Sequence, residues 1–143
     1  MSPTRAEIER FEKAFFLLFR RIGPGLGLPP ELPITGQQIM MLYQIVSLKP
    51  CTVTMLAHKL DVKPSAITVM IDRLVQHGYV SRTHDEKDRR VVLLELTEEG
   101  VAVLQRVRKI RTDTLEGYMS RLEPEEWDSF LRIFEKLVQD IED

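Results

Sequence analysis

The sequence predicts a mainly α chain with one small β-hairpin, and three observations carry that expectation. Apolar residues recur at spacings of three and four through most of its 143 residues. The pattern turns β-rich only at residues 79–83 and 91–96. Capping and breaking residues divide the remaining periodic stretches into six helices.

The first helix is expected over residues 5–22, where Ile8, Phe11, Phe15, Leu18 and Ile22 form a stripe that Phe16, Leu17 and Phe19 widen. So broad an apolar face must be covered, by the rest of the chain or by a second subunit. Residues 23–33 hold three glycines and four prolines and read as an irregular connector. Thr35 and Gln38 fit a capping box for the second helix. Its core face is Ile39, Leu42, Tyr43 and Val46, and Pro50 ends it. Thr52 can cap a short third helix over 53–60, with Leu56, Ala57 and Leu60 inward. After a turn at 61–63, Pro64 suits the first position of a fourth helix, where its missing N–H costs nothing. That helix turns Ile67, Ile71 and Leu74 inward and stops at Gly78. The two β-rich segments follow, joined by the charged residues 84–90 as a hairpin with a solvated tip. Thr97 caps a long fifth helix over 98–121, with Glu98 and Glu99 complementing its dipole. A sixth starts at 123–126 and carries Trp127, Phe130, Leu131, Phe134, Leu137, Val138 and Ile141 on one face.

Composition narrows the class. Hydrophobic residues make up 43% and charged residues 29%, the mix of a globular protein able to bury its own core. The single cysteine, Cys51, excludes an internal disulfide framework. No apolar run approaches the ~20 residues that span a bilayer, and the mixed-charge start is unlike a targeting peptide. A cytoplasmic location with no membrane partner is expected. The net charge of −2 hides an asymmetry: residues 1–48 sum to +1, residues 49–90 to +3 and residues 91–143 to −6. A basic middle between a near-neutral and an acidic flank suits a chain with one surface that meets an anion.

Two short helices joined by a short turn, then a charged two-stranded ribbon, make a winged helix-turn-helix. The major groove of duplex DNA admits one helix, and the ribbon can reach along the backbone to the neighbouring minor groove. At 100° per residue, the fourth helix turns Ser65, Val69, Asp72 and Gln76 away from its core side, with Thr68 and Arg73 flanking. The candidate DNA contacts on it are Pro64, Ser65, Thr68, Val69 and Arg73. Serine and threonine can bond phosphates or bases, and arginine a phosphate or guanine. Asp72 either points away from phosphates or pairs with Arg73 or a wing residue. The wing adds Arg82, Lys87, Arg89 and Arg90. Asp88 and Arg90, two apart, point the same way in an extended arm, and Arg89 to the other side.

Four stretches resemble the multiple-antibiotic-resistance regulator (MarR) family of transcription factors. They are Thr35-Gly-Gln-Gln-Ile-Met-Met-Leu, Met55-Leu-Ala-His-Lys-Leu-Asp-Val-Lys-Pro-Ser-Ala-Ile-Thr, Ile71-Asp-Arg-Leu-Val-Gln-His-Gly-Tyr-Val, and Asp88-Arg-Arg-Val-Val-Leu-Leu-Glu-Leu-Thr-Glu-Glu-Gly100. The last is the most specific, because it joins the wing's Asp-x-Arg motif to the Leu-Thr-x-x-Gly start of the next helix. The resemblance implies one family domain over 1–143, with a winged helix-turn-helix at 34–100 and dimerisation helices in 1–33 and 101–143. It implies a homodimer on a pseudo-palindromic operator in double-stranded DNA, usually a repressor, often relieved by a small-molecule effector or an oxidant. It makes Asp88 and Arg90 the Asp-x-Arg pair and Arg89 the tip residue that enters the minor groove. Val69 departs from the family pattern, which often has arginine there. An outward valine can touch a thymine methyl, or is one of the single exposed apolar residues common on any surface.

No other chemistry is expected. Cys51 reads as a buried thiol rather than a redox sensor, and with His58, His77 and His84 it lacks a metal-ligand spacing. No phosphate loop, nucleophile elbow or zinc-protease motif is present, so neither an enzyme nor a cofactor is expected. The alternative function is a winged-helix protein–protein module without DNA binding.

Overall fold

The computed structural model describes residues 2–28 and 30–139. The described residues form α1 (Arg5–Leu26), α2 (Gly36–Ser47), β1 (Cys51–Thr52), α3 (Val53–Lys59), α4 (Pro64–Gln76), β2 (Val80–His84), β3 (Val92–Leu96), α5 (Glu98–Met119) and α6 (Pro124–Val138). The mainly helical fold with a small sheet is the one the sequence predicts. The chain divides into two compact units, Gly27–Lys109 and the pair Met1–Leu26 with Ile110–Asp143.

In the first unit, capping chemistry sets the helix starts. Gln38 N–H donates to Thr35 Oγ1 at 3.2 Å, and Thr35 N–H donates to Gln38 Oε1 at 2.9 Å, so the capping box is closed. Met55 N–H donates to Thr52 Oγ1 at 3.1 Å at the start of α3. Ile67, Ile71 and Leu74 of α4 are fully buried. They pack in one core with Met41 and Leu42 of α2, Leu56 of α3, Val80, Leu94 and Val107. Truncating such a residue costs ~2–5 kcal/mol, so this cluster holds α4 in place. Gly78 follows α4 with φ +78°, the left-handed conformation that ends a helix cheaply.

Several expectations need correction. The sheet has three strands, in the order β1-β3-β2, all antiparallel. β1 is two residues long, with Cys51 opposite Leu94, too short to show a period of two. β2 begins at Val80 and β3 at Val92, because Tyr79 and Val91 are spent on turns: Tyr79 N–H donates to Leu74 and Val91 N–H to Asp88. On α2 the buried set is Ile39, Met41, Leu42 and Ile45, and Val46 is 52% exposed. Both α3 and β3 pack on this helix, which carries its buried arc round to Met41 and Ile45.

α5 begins where strand and helix touch. Thr97 N–H donates to the Tyr79 carbonyl, the Thr97 hydroxyl donates to the Gly78 carbonyl, and Gly100 N–H donates back to Thr97 Oγ1. Gly100 lies so close to the turn that precedes β2 that an added Cβ would stand 2.1 Å from the Tyr79 oxygen. The Leu-Thr-x-x-Gly pattern is therefore a close-packed junction, with the threonine as cap and the glycine as clearance. α5 ends at Met119, two residues short of expectation, and Leu122 N–H donates to the Met119 carbonyl in the turn that follows.

In the second unit α1 continues past residue 22, through Gly23-Pro24-Gly25, to Leu26. α5 meets that end. Arg111 Nε donates to the Leu26 carbonyl at 3.0 Å, a partner for the helix end, while the Thr114 hydroxyl, which donates to the Ile110 carbonyl at 2.9 Å, lies 3.3 Å from the Gly25 carbonyl. The apolar stripes lie bare along α1 and α6. Phe11, Phe15 and Phe19 form one stacked ladder, with Phe11 63% and Phe19 61% exposed. Trp127, Phe130 and Phe134 form a second, and Leu137 is 64% exposed. Ile141 lies outside the described residues. Among the described residues no helix is long and apolar enough to cross a membrane.

Candidate nucleic-acid interface

The turn between α3 and α4 is set by Asp61, at φ +50°, and by a hydrogen bond from Val62 N–H to the Ala57 carbonyl. It delivers Pro64 to the first position of α4, as the sequence predicts. Because Ile67, Ile71 and Leu74 are drawn fully into the core, Pro64, Ser65, Thr68, Val69 and Arg73 are all exposed. Thr68 Oγ1 donates to the Pro64 carbonyl at 2.9 Å, so its lone pairs, not its proton, face outward. Arg73 has no ion-pair partner among the described residues. Val69 is 53% exposed on the same outward face.

β2 and β3 carry the wing. Its tip is built of turns closed by side chains rather than of two extended arms. Asp85 Oδ1 accepts from Lys87 N–H at 2.8 Å, and Asp88 Oδ1 accepts from Arg90 N–H at 3.1 Å. Val91 N–H donates to the Asp88 carbonyl at 2.9 Å. His84 Nδ1 lies 2.8 Å from the Arg89 carbonyl; a carbonyl can only accept, so Nδ1 carries the proton. The Asp88–Arg90 contact, 3.4 Å at Nε, thus arises from an aspartate-closed turn and not from strand alternation. Lys87, Asp88, Arg89 and Arg90 are all exposed, and Lys87 and Arg89 have no carboxylate partner among the described residues.

Arg82 differs from the tip residues. Its Nη2 bonds Asp72 Oδ1 of α4, so Asp72 pairs with the wing and not with Arg73. The sequence left both pairings open, because strand register is needed to decide between them. Two further features had no sequence signal: the tie from His84 to the tip and the third strand that anchors β3. Both depend on residues brought together from different segments.

Cys51 is 1% exposed, and burial pushes its thiol above the usual range. Among the described residues no group of three or more metal-ligating side chains comes together. In the helical unit, Leu115, Met119, Leu122 and Trp127 line a groove of about 630 Å³.

Residues 34–92 match the MarR family profile. The HTH-type transcriptional repressor MdtR of Bacillus subtilis (strain 168) is 37% identical over 123 residues, 85% of this chain and 79% of that protein. The crystal structure of the YusO protein from Bacillus subtilis superposes with a TM-score of 0.85 at 32% identity, covering 96% of this chain and 99% of that one. A mutant MarR from E. coli, solved in complex with operator DNA, matches at a TM-score of 0.58 and 26% identity over 96% of this chain and 99% of that one.

Proposed function

The chain belongs to the MarR family of transcriptional regulators, which are not enzymes, and from that premise we propose that it is a cytoplasmic, homodimeric repressor reading a pseudo-palindromic DNA operator. The observation that carries this reading is the pairing, in one unit, of an exposed helix face with a wing tip whose Lys87 and Arg89 have no carboxylate partner among the described residues. α4 offers Ser65, Thr68, Val69 and Arg73 to the major groove, and Arg89 and Lys87 reach the backbone or minor groove. Uncharged Pro64, Ser65 and Ala66 leave the helix N-terminus free to approach a phosphate. Repression is carried over from MdtR, and operator binding from the MarR complex with DNA.

Dimerisation is supported by the bare stripes of α1 and α6. Contiguous exposed apolar stripes of this kind mark interaction surfaces, and a second copy would cover them. The groove beside Trp127 belongs with that subunit contact. Relief by a small-molecule effector rests on the family resemblance. The division into a 34–100 DNA-binding region flanked by dimerisation segments follows the same reading.

A gel shift against genomic fragments at several salt concentrations tests the function. Binding that weakens steeply as salt rises is required, because cations on phosphates release counterions. Capture of a protein through α4 and the wing, with no duplex bound, would favour a protein-interaction module instead.

A further inference from the structure

α4 carries a single carboxylate, Asp72, and places it on the stripe the proposed function turns toward DNA. Seven residues separate Ser65 from Asp72, about 700° of rotation, so the two share an azimuth to within about 20° and lie ~10 Å apart along the helix. A bare carboxylate there would repel the phosphates that Arg73 and the wing attract. The structure answers it locally. β2 packs against α4, and Val80 and Arg82 leave the same face of that strand. Val80 is buried, and the Arg82 side chain runs on to close an ion pair with Asp72. The Arg82 side chain is accordingly far more covered than that of Arg90 in the tip, 36% exposed against 95%.

We propose that Arg82 is a positioning residue that acts through Asp72, not a DNA ligand: it is the counter-charge that neutralises the one carboxylate α4 turns toward DNA. This rests on the proposed function and removes one residue from the set of contacts expected from sequence. The two roles for Arg82 differ in what happens when Asp72 is neutralised. A counter-charge becomes dispensable once the carboxylate is gone. A phosphate ligand does not.

The experiment is a double-mutant cycle on one operator, titrated at several salt concentrations, with melting midpoints measured for each variant. Asp72→Asn, Arg82→Gln, the double variant and Arg82→Lys are compared with wild type. The pair is exposed, so all four are expected to melt near wild type. Arg82→Gln is expected to weaken binding ~5–10-fold, as one uncompensated surface charge near phosphates does. The double variant is expected to return to within ~2-fold of wild type with an unchanged salt slope, and Arg82→Lys to bind within ~3-fold, since it keeps the charge. A double variant as weak as Arg82→Gln, with a slope lower by about one unit, would make Arg82 a phosphate ligand and overturn the inference. So would an Arg82→Gln variant that binds like wild type. Wild-type protein that binds no duplex would instead overturn the function on which the inference rests.

Discussion

Replacing Gly100 by alanine sets two effects against each other with opposite signs. Gly100 sits in the first turn of α5, where alanine would be the better helix former by up to ~1 kcal/mol. The methyl group, however, would meet the Tyr79 carbonyl oxygen at 2.1 Å, its carbon at 3.0 Å and Leu96 Cγ at 3.3 Å. Carbon–oxygen contacts settle near ~3.3 Å, so the junction must open by about 1 Å. What blocks the methyl is backbone, and that carbonyl also accepts Thr97 N–H at 3.1 Å. Overpacking costs ~1–3 kcal/mol and a strained hydrogen bond ~1 kcal/mol more. The net expectation is a loss of about 2 kcal/mol, or roughly 5–8 °C in melting midpoint for a chain of this size. Thermal melts followed by far-ultraviolet circular dichroism, with urea titrations alongside, measure it. A midpoint equal to or above wild type would refute the close approach of the Tyr79 carbonyl to α5. Gly117→Ala is the control: nothing lies within 4 Å of its Cβ position, and it should gain up to ~1 kcal/mol.

Arg89→Ala should keep fold and dimer, weaken operator binding by ~1–3 kcal/mol and lower the salt slope by about one unit. Asp88→Ala should also weaken binding, by opening the turn that accepts Arg90 N–H; tighter binding in a titration would contradict that. Removing residues 1–22 strips the phenylalanine ladder of α1, and light scattering should then show a monomer or an aggregate rather than an ordered dimer. Cys51 should react with a thiol reagent only as the protein unfolds in urea. Burial raises the folded thiol, so its contribution to stability is present below the unfolded thiol's ordinary value and is lost as pH rises above it. Fast reaction of the native protein would reopen a redox role.

Local chemistry explains what could be read from the sequence. The Thr35 and Thr52 caps, Pro64, Gly78 and the Ile67, Ile71, Leu74 stripe act within a turn or two of the chain, and each stands where its residue type predicts. The contacts that escaped are long-range. Leu94 has to be found before β1 exists as a strand. α1 runs on through Pro24 to an end whose Leu26 carbonyl is met by Arg111, 85 residues away. The wing tip looked like two extended arms because alternation is the default for a hairpin. Three aspartate- and histidine-closed contacts curl it instead. At the candidate interface the identity of the exposed residues was legible, since burial of three positions on α4 dictates which others face out. The role of Arg82 was not, because it depends on a partner in another element.

Selection of bound duplexes from a genomic library, repeated at two salt concentrations, probes the proposed function most directly. A two-fold dimer with one α4 per subunit should enrich inverted half-sites with centres ~10–10.5 bp apart, and raising the salt should erode the enrichment. Enriched sites without inverted symmetry would contradict the dimeric reading, and a library that emerges unselected at both salt concentrations would contradict DNA recognition itself.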